Sequence, residues 1–209
     1  MPTLTHPILL DAVNELADRD PALAGIVQTW GPPPLWDRPE GFPTLVHIIL
    51  EQQVSLASAR AAFDRLDETL GGVDPEGMLR LDDAALLRIG FSRQKARYGR
   101  LLARAVLDGD LDLVALPALA DDEVRRRLTA ITGIGPWTAD IYLLMALRRP
   151  DVWPQGDLAL AVAMQRVLGL PQRPSRQEQL ERSEAWAPWR AVAARLLWHQ
   201  YLSDRRRPV

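Results

Sequence analysis

The feature that most constrains the fold is a pair of helical segments separated by only four residues, Thr-Gly-Ile-Gly. Residues 121–131 begin with acidic residues and carry arginines further on, an order that suits the helix dipole. Residues 136–148 begin with a proline, which is favoured in the first turn of a helix. Gly133 and Gly135 permit the conformations of a tight turn, and the apolar Ile134 can tuck between the helices. The sequence therefore predicts a hairpin of two short helices.

This hairpin has two interpretations. Backbone N–H groups at the start of its second helix would point outward and could bind a phosphate oxygen without a large positive charge. Alternatively, the two glycines mark a plain packing corner between helices. The turn alone leaves both interpretations open.

Helical periodicity also dominates the rest of the chain. Residues 44–70 are read as one long helix or two abutting helices that end at Gly71 and Gly72. Residues 31–43 form a proline-rich irregular loop. The other predicted helices cover residues 82–89, 92–107, 158–168 and 184–202. No alternating strand pattern is evident, so the predicted fold class is all-α.

Composition excludes several kinds of protein. Of the 209 residues, 47% are hydrophobic and 25% are charged, as in ordinary globular proteins. The absence of cysteine excludes disulfides, zinc–thiolate sites and cysteine-ligated iron–sulfur clusters. The longest apolar run is far shorter than the roughly 20 residues that cross a bilayer, and the N-terminus lacks the pattern of a signal peptide. We therefore expect a cytoplasmic protein with no membrane partner and no metal site built from side chains.

The distribution of charge is more informative than its sum. A net charge of −2 argues weakly against a general nucleic-acid binder. Four arginines of the segment 92–107 nevertheless follow one another at helical spacing and share one face. They are Arg93, Arg97, Arg100 and Arg104. This basic stripe either contacts phosphates or is a solvated helix face.

Five segments together carry a family resemblance. They are ILEQQVSLASA at 49–59, GFSRQKARYGRLLARAV at 90–106, LTAITGIGPWTADIYLL at 128–144, DVWPQGDLAL at 151–160 and WAPWRAVAARLLW at 186–198. The hairpin GIGPWTA and the loop that ends in Pro-x-Gly-Asp are the most specific of these. The chain resembles the helix-hairpin-helix/Gly-Pro-Asp superfamily of DNA glycosylases, and within it most closely the bacterial 3-methyladenine DNA glycosylase II group.

The resemblance implies a fold and a function. The fold would be a single glycosylase unit, 1–209, of two helical lobes with the active-site cleft between them. One lobe would contain about 45–150 with the hairpin, and the other about 1–44 with 151–209. We expect the compact form, without the N-terminal β domain of the prototype. The function would be to flip an alkylated base, such as 3-methyladenine or 7-methylguanine, out of duplex DNA and excise it, leaving an abasic site.

Asp157 is the expected catalytic residue. The resemblance implies that this aspartate drives cleavage of the N-glycosidic bond. The chemistry agrees, because the deoxyribose acquires oxocarbenium character as the base departs and a nearby carboxylate stabilises that charge. Alternatively, Asp157 caps the helix that begins at Leu158, a position that aspartate favours. Both roles can coexist.

Aromatic side chains are the candidates for binding the base. An alkylated purine carries a formal positive charge, which an indole face attracts by a cation–π interaction of about 0.5–2 kcal/mol. We predict this role for Trp137, with Tyr142 and Trp36 as further candidates that are equally open to a packing role. Trp153 is left undecided, and the tryptophans of the segment 186–198 are interpreted as core residues.

The expected DNA contacts come from three places. The hairpin would contribute Gly133, Ile134, Gly135 and Thr138. A side chain of the turn at Gln52 and Gln53 would fill the gap left by the extruded base, with Gln53 the leading candidate, although both could be merely exposed. Arg93 and Arg97 could neutralise phosphates, although the resemblance of their segment to the family is also open to a packing explanation.

Lyase activity is not expected. Bifunctional relatives carry a lysine just after the hairpin glycine, where this chain has Trp137, and the only lysine in the sequence is Lys95. We expect no organic cofactor, although the resemblance suggests a monovalent cation held by hairpin carbonyls. We expect a bacterial monomer that associates with the nucleoid through DNA. The alternatives are a glycosylase for another damaged base and a non-catalytic DNA-binding module.

Overall fold

The computed structural model describes residues 3–205, and within this range the secondary structure is helical, without a β-strand. The α-helices are α1 His6–Arg19, α2 Pro21–Trp30, α3 Phe42–Glu51, α4 Leu56–Leu70, α5 Pro75–Arg80, α6 Asp83–Ile89, α7 Arg93–Leu107, α8 Asp121–Thr129, α9 Pro136–Met145, α10 Leu158–Val167, α11 Arg176–Ser183 and α12 Arg190–Asp204. Short 3₁₀ helices cover Leu116–Ala118 and Glu184–Trp186. The predicted all-α class is confirmed.

The chain divides into two compact units. Unit 1 contains residues 38–147 and therefore helices α3 to α9. Unit 2 contains the residues up to Asp37 and from Arg148 onward, with α1, α2 and α10 to α12. The boundaries expected from the sequence, after residues 44 and 150, fall slightly later in the chain than these. The cleft between the lobes stays a prediction.

Unit 1 is organised around α3. This helix packs against α4, α7 and α9, and its side chains Leu45, Ile48 and Ile49 are fully buried. Burial of an aliphatic side chain of this size stabilises the fold by about 1.5–3 kcal/mol. Because most of α3 is covered, the turn that follows it is attached to a fixed support.

Unit 2 is organised around α12. This helix packs against α1, α2 and α10, and every residue from Ala191 to Trp198 is buried. One of these residues is Arg195, whose Nε donates to Leu35 O at 2.7 Å and whose Nη1 donates to Ala191 O at 3.0 Å. The buried guanidinium thereby fastens the proline-rich segment to the central helix.

Several helix limits agree with the sequence patterns. The segment 44–70 is two helices, with a turn at residues 52–55 between them. The Ser92 side chain caps α7 by accepting from the Lys95 N–H at 3.2 Å, as predicted. The Asp82 side chain caps α6 by accepting from the Ala85 N–H at 2.7 Å.

The predicted helix over 184–202 is wrong in its first part. A 3₁₀ turn covers Glu184–Trp186, and α12 begins only at Arg190. The reason is Pro188, which lacks an N–H donor and disfavours helical backbone at the residue before it. Helices α1, α2, α5 and α11 are absent from the sequence-based prediction.

Membrane-spanning segments are not found in the described part of the chain, where none of the helices has the length and apolar character to cross a bilayer.

Candidate active site and hairpin

The predicted hairpin is present in unit 1. Helix α8 ends at Thr129 and α9 begins at Pro136. Gly133 has a φ of +102°, and the Ile134 N–H donates to Ile131 O at 3.0 Å. Ile134 is 4% exposed, so its side chain packs inside the unit rather than on a ligand surface.

The start of α9 has no side-chain cap, and its first residue, Pro136, has no N–H group. The residue before this helix is the exposed Gly135, which has no side chain with which to cap it. The first N–H groups of a helix lack intrahelical partners, and together with the helix dipole they attract anions. The hairpin therefore has the local geometry of a phosphate-binding turn.

Helix α7 supports the hairpin through Tyr98. A Cβ atom on Gly133 would lie 2.2 Å from Tyr98 Cγ, so the aromatic ring occupies the space that any side chain at 133 would need. The Tyr98 hydroxyl in turn accepts from Gln94 Nε2 at 2.6 Å. Tyr98 is not predicted from the sequence, because its contact depends on how α7 packs.

The two glutamines of the α3–α4 turn have different environments. Gln52 Nε2 donates to Gly133 O at 2.9 Å and to Thr138 Oγ1 at 3.0 Å. Thr138 is 1% exposed, so its side chain supports the hairpin from within and is not placed to contact DNA directly. Gln53, in contrast, is exposed and has a φ of +58°.

Asp157 lies in unit 2 at the start of α10. Its Oδ1 accepts from the Leu160 N–H at 2.9 Å, so the predicted capping role is observed. The same oxygen accepts from Trp198 Nε1 at 3.3 Å, and the Asp157 N–H donates to Pro154 O at 3.3 Å. The carboxylate is half-buried and fixed in orientation. Trp198, interpreted from the sequence as a core residue, thus also contacts the candidate catalytic group.

The aromatic candidates separate into two groups. Tyr142 has no exposed surface, and its hydroxyl accepts from the Gly41 N–H at 2.9 Å, with burial raising its pKa. Trp153 is buried and packs at 5.5 Å from Trp186, ring centroid to ring centroid. Both therefore have packing roles, and a stacking contact between Tyr142 and a base is not supported by this placement.

Trp137 and Trp36 retain partly exposed side chains. Trp137 lies in the first turn of α9 in unit 1. Trp36 belongs to unit 2, has a φ of +49°, and approaches His199 edge-on with ring centroids 6.3 Å apart. The left-handed backbone of Trp36 is a costly conformation for a bulky residue, of the kind that concentrates at functional sites.

Comparison with known families agrees with this arrangement. Residues 46–189 match the family model of the HhH-GPD superfamily base excision DNA repair proteins. This chain belongs to the HhH-GPD superfamily. The match contains both the hairpin and Asp157.

Individual relatives share most of this chain. It is 30% identical over 192 residues to DNA-3-methyladenine glycosylase 1 of Schizosaccharomyces pombe, a match that covers 90% of this chain and 84% of the relative. It is 33% identical over 162 residues to a candidate DNA-3-methyladenine glycosylase of Bacillus subtilis, covering 74% of this chain and 56% of that protein. The solved structure of the Schizosaccharomyces pombe 3-methyladenine DNA glycosylase with abasic DNA superposes with a TM-score of 0.84 at 28% identity, covering 90% and 95% of the two chains.

The lysine of this HhH-GPD chain has a structural contact. Lys95 Nζ donates to Leu50 O at 2.6 Å and so holds the last turn of α3. Burial lowers the pKa of Lys95, but the amine is already bonded to backbone. This contact favours a packing role over nucleophilic attack.

The basic stripe is only partly available to a ligand. Arg100 donates to Asp83 and, at 2.7 Å, to Leu81 O, which fastens α7 to the segment before α6. Arg93, Arg97 and Arg104 are exposed. The two arginines predicted to contact DNA are therefore accessible, whereas Arg100 serves the fold.

The described residues were also compared with the requirements of a metal site built from side chains. Within them, no cluster of His, Cys, Asp or Glu side chains could hold a metal ion. Two hairpin carbonyls, those of Ile131 and Gly133, already accept hydrogen bonds from the Ile134 N–H and from Gln52 Nε2. The monovalent cation that the resemblance suggests stays a prediction, and no step below depends on one.

Proposed function

We propose that this chain is a monofunctional DNA glycosylase that removes alkylated bases of the 3-methyladenine or 7-methylguanine type from duplex DNA. The observation that carries the proposal is the half-buried Asp157 carboxylate, held in one orientation by the Leu160 N–H and Trp198 Nε1. Membership of a base excision repair superfamily and the names of the relatives support it.

The reaction is hydrolysis of the N-glycosidic bond. The bond between C1′ and the base nitrogen breaks, and its electron pair leaves with the base, which neutralises the positive charge of the alkylated ring. The Asp157 carboxylate stabilises the oxocarbenium character that develops on the sugar. A water oxygen bonds to C1′, and its released proton passes to Asp157 or to solvent. The products are an abasic site and a neutral free base.

Base recognition uses the charge of the substrate. The alkylated purine is cationic, so the partly exposed indole of Trp137 attracts it with about 0.5–2 kcal/mol of cation–π energy. Trp36 is a second candidate for this contact. The same positive charge makes the base a good leaving group, so no strong general acid is required.

DNA binding relies on geometry more than on net charge. The N–H groups at the start of α9 bind a phosphate, and the exposed Arg93 and Arg97 contribute further phosphate contacts. Gln53, exposed at the tip of its turn, fills the space of the extruded nucleotide and can hydrogen-bond the orphaned base.

The enzyme leaves the DNA strand intact. Trp137 occupies the position where bifunctional relatives have lysine, and the amine of Lys95 bonds to Leu50 O. Lys95 is the single lysine of the sequence, so the chain has no lysine suited to form a Schiff base with the sugar.

The decisive test is base release from methylated duplex DNA by the wild type and by Asp157→Asn. Asparagine can still cap α10 but lacks the negative charge, so we expect release to fall by roughly 10²–10³-fold with little loss of stability. Products are identified by mass, and strand breakage is measured before and after alkali. Release by both proteins at equal rates contradicts the role of Asp157. Release by neither favours another lesion or a non-catalytic module.

A further inference from the structure

The α3–α4 turn, residues 52–55, has an unusual backbone for its sequence. Gln52 has φ −59° and ψ 120°, and Gln53 follows with φ +58°. These angles resemble a type II turn, whose third position is normally glycine or asparagine. A glutamine in the left-handed region persists only where the surroundings hold it, because such conformations cost about 1–3 kcal/mol.

The contacts that hold this turn come from both of its flanks. On the side of α3, the Glu51 carboxylate accepts from Arg38 Nη1 at 3.0 Å and Nη2 at 2.7 Å, and Lys95 Nζ donates to Leu50 O at 2.6 Å. On the side of α4, Ser55 Oγ accepts from the Ser58 N–H at 3.2 Å. The ends of both helices are thus fixed while the tip between them stays exposed.

Only Gln52 connects this turn with the hairpin among the hydrogen bonds described. Its amide donates to Gly133 O at 2.9 Å and to Thr138 Oγ1 at 3.0 Å. Gly133 is the left-handed residue of the hairpin turn, and Thr138 lies in the first turn of α9. The Gln52 side chain therefore links the hairpin turn to the backbone immediately before Gln53.

We propose that Gln52 is a positioning residue that sets the location of Gln53 relative to the hairpin. The proposal rests on the function proposed above, in which the hairpin binds the DNA backbone and Gln53 occupies the vacated space. Both contacts are made to the same duplex, so their separation must match the spacing between a phosphate and the base stack. Displacement by about 1 Å can cost on the order of 10²-fold in rate.

The test is a double-mutant cycle of Gln52→Ala and Gln53→Ala, measured by single-turnover release of 3-methyladenine. We expect Gln52→Ala to slow release by about tenfold in the wild-type background. If Gln52 acts through Gln53, the same substitution has little further effect in the Gln53→Ala background, because the two effects are coupled. Equal losses in both backgrounds overturn the proposal and assign Gln52 to general support of the hairpin.

A second variant separates hydrogen bonding from packing. Gln52→Met keeps a similar volume but removes the two donated hydrogen bonds, so we expect it to match Gln52→Ala in the rate of release. A Gln52→Met protein with the wild-type rate overturns the proposal. Melting temperatures of all variants show whether a loss of folded protein contributes to the rate.

Binding measurements keep this inference separate from the proposed function. Affinity is measured for an undamaged duplex and for a duplex that contains a stable abasic analogue. We expect Gln52→Ala to reduce the preference for the abasic duplex and to leave binding to undamaged DNA nearly unchanged. If the wild type releases no base, the proposed function fails, and this preference alone decides the role of Gln52. If the wild type releases base and Gln52→Ala equals it in rate and preference, only the inference fails.

Discussion

The hairpin of unit 1 and the Asp157 loop of unit 2 are both fixed in place, but by different means. Close packing holds the hairpin, because the Tyr98 ring fills the space beside Gly133 and Ile134 is buried, and the Gln52 amide adds two hydrogen bonds. The loop of residues 151–157, called here the Asp157 loop, depends on hydrogen bonds, such as those that Asp157 accepts from the Leu160 N–H and Trp198 Nε1. The hairpin should therefore be sensitive to added volume, whereas the loop should tolerate changes that keep its hydrogen bonds.

Gly133→Ala should give the largest loss of stability. The new Cβ would lie 2.2 Å from Tyr98 Cγ, and alanine would also have to adopt a φ of +102°. Overpacking and backbone strain together predict a loss of about 2–5 kcal/mol in the free energy of unfolding. Urea denaturation measures it.

Gly135→Ala is the matched control for that substitution. A Cβ on Gly135 meets no atom within 4 Å, and the residue has a φ of −89°, which alanine adopts readily. We expect its unfolding free energy to change by less than about 0.5 kcal/mol. Equal losses for the two variants would contradict the claim that shape fixes the hairpin.

Tyr142→Phe tests the structural role of a residue first considered for base binding. The substitution keeps the ring but leaves the Gly41 N–H without the acceptor that it has at 2.9 Å. Because Gly41 is only partly buried, loss of this hydrogen bond predicts destabilisation by about 0.5–1.5 kcal/mol. Base release per folded molecule should stay at the wild-type level. A variant that is fully stable but slow in release would return Tyr142 to the base-binding site.

Local patterns explain most of what the sequence predicts correctly. Ser92 and Asp157 cap the helices that follow them, and these are interactions over three residues along the chain. The missed helices carry similar patterns. Asp20 and Asp74 each precede a proline and cap α2 and α5, and Ser175 forms a capping box with Glu178 at α11. These helices were therefore predictable from caps, although their short apolar stripes are weak.

Contacts between distant segments were not predictable in the same way. Gln52 meets Gly133 across 81 residues of sequence, and Trp198 meets Asp157 across 41. Such pairs depend on how helices pack, for which a single sequence carries no periodic pattern. The residue types at the site were evident from the sequence, but the partners that orient them required the structure.

Trp198→Phe tests the hydrogen bond that reaches Asp157 from α12. Phenylalanine keeps an aromatic ring in the core but removes the Nε1 donor, which lies 3.3 Å from Asp157 Oδ1. A hydrogen bond to a charged group contributes about 1.5–3 kcal/mol, and this one is long, so we expect the single-turnover rate to fall by at most about tenfold. The Leu160 N–H should keep the carboxylate in place. A loss as large as that of Asp157→Asn would show that the Leu160 N–H alone does not keep the carboxylate in place.

The smallest expected effect is the pH dependence of stability that comes from His47, which lies in α3 of unit 1. Its ring stacks on Phe63 with centroids 4.6 Å apart, and burial lowers its pKa from the ordinary value of about 6.5. The unfolded chain therefore takes up a proton before the folded protein does as the pH falls. The contribution of His47 to stability is complete above about pH 6.5 and decreases below it, by at most about 1.4 kcal/mol per pH unit.

His47→Met isolates this effect from the titration of other groups. Methionine can fill much of the space beside Phe63 but carries no titratable group, so the difference in unfolding free energy between the two proteins should depend on pH only below about 6.5. Urea denaturation of both proteins on each side of that pH measures the difference. A difference that stays constant with pH would mean that the imidazole is protonated equally in the folded and unfolded chains. In that case the packing around α3 is looser than the stacked ring indicates. The contrast between the closely packed hairpin, which α3 supports, and the hydrogen-bonded Asp157 loop would then weaken.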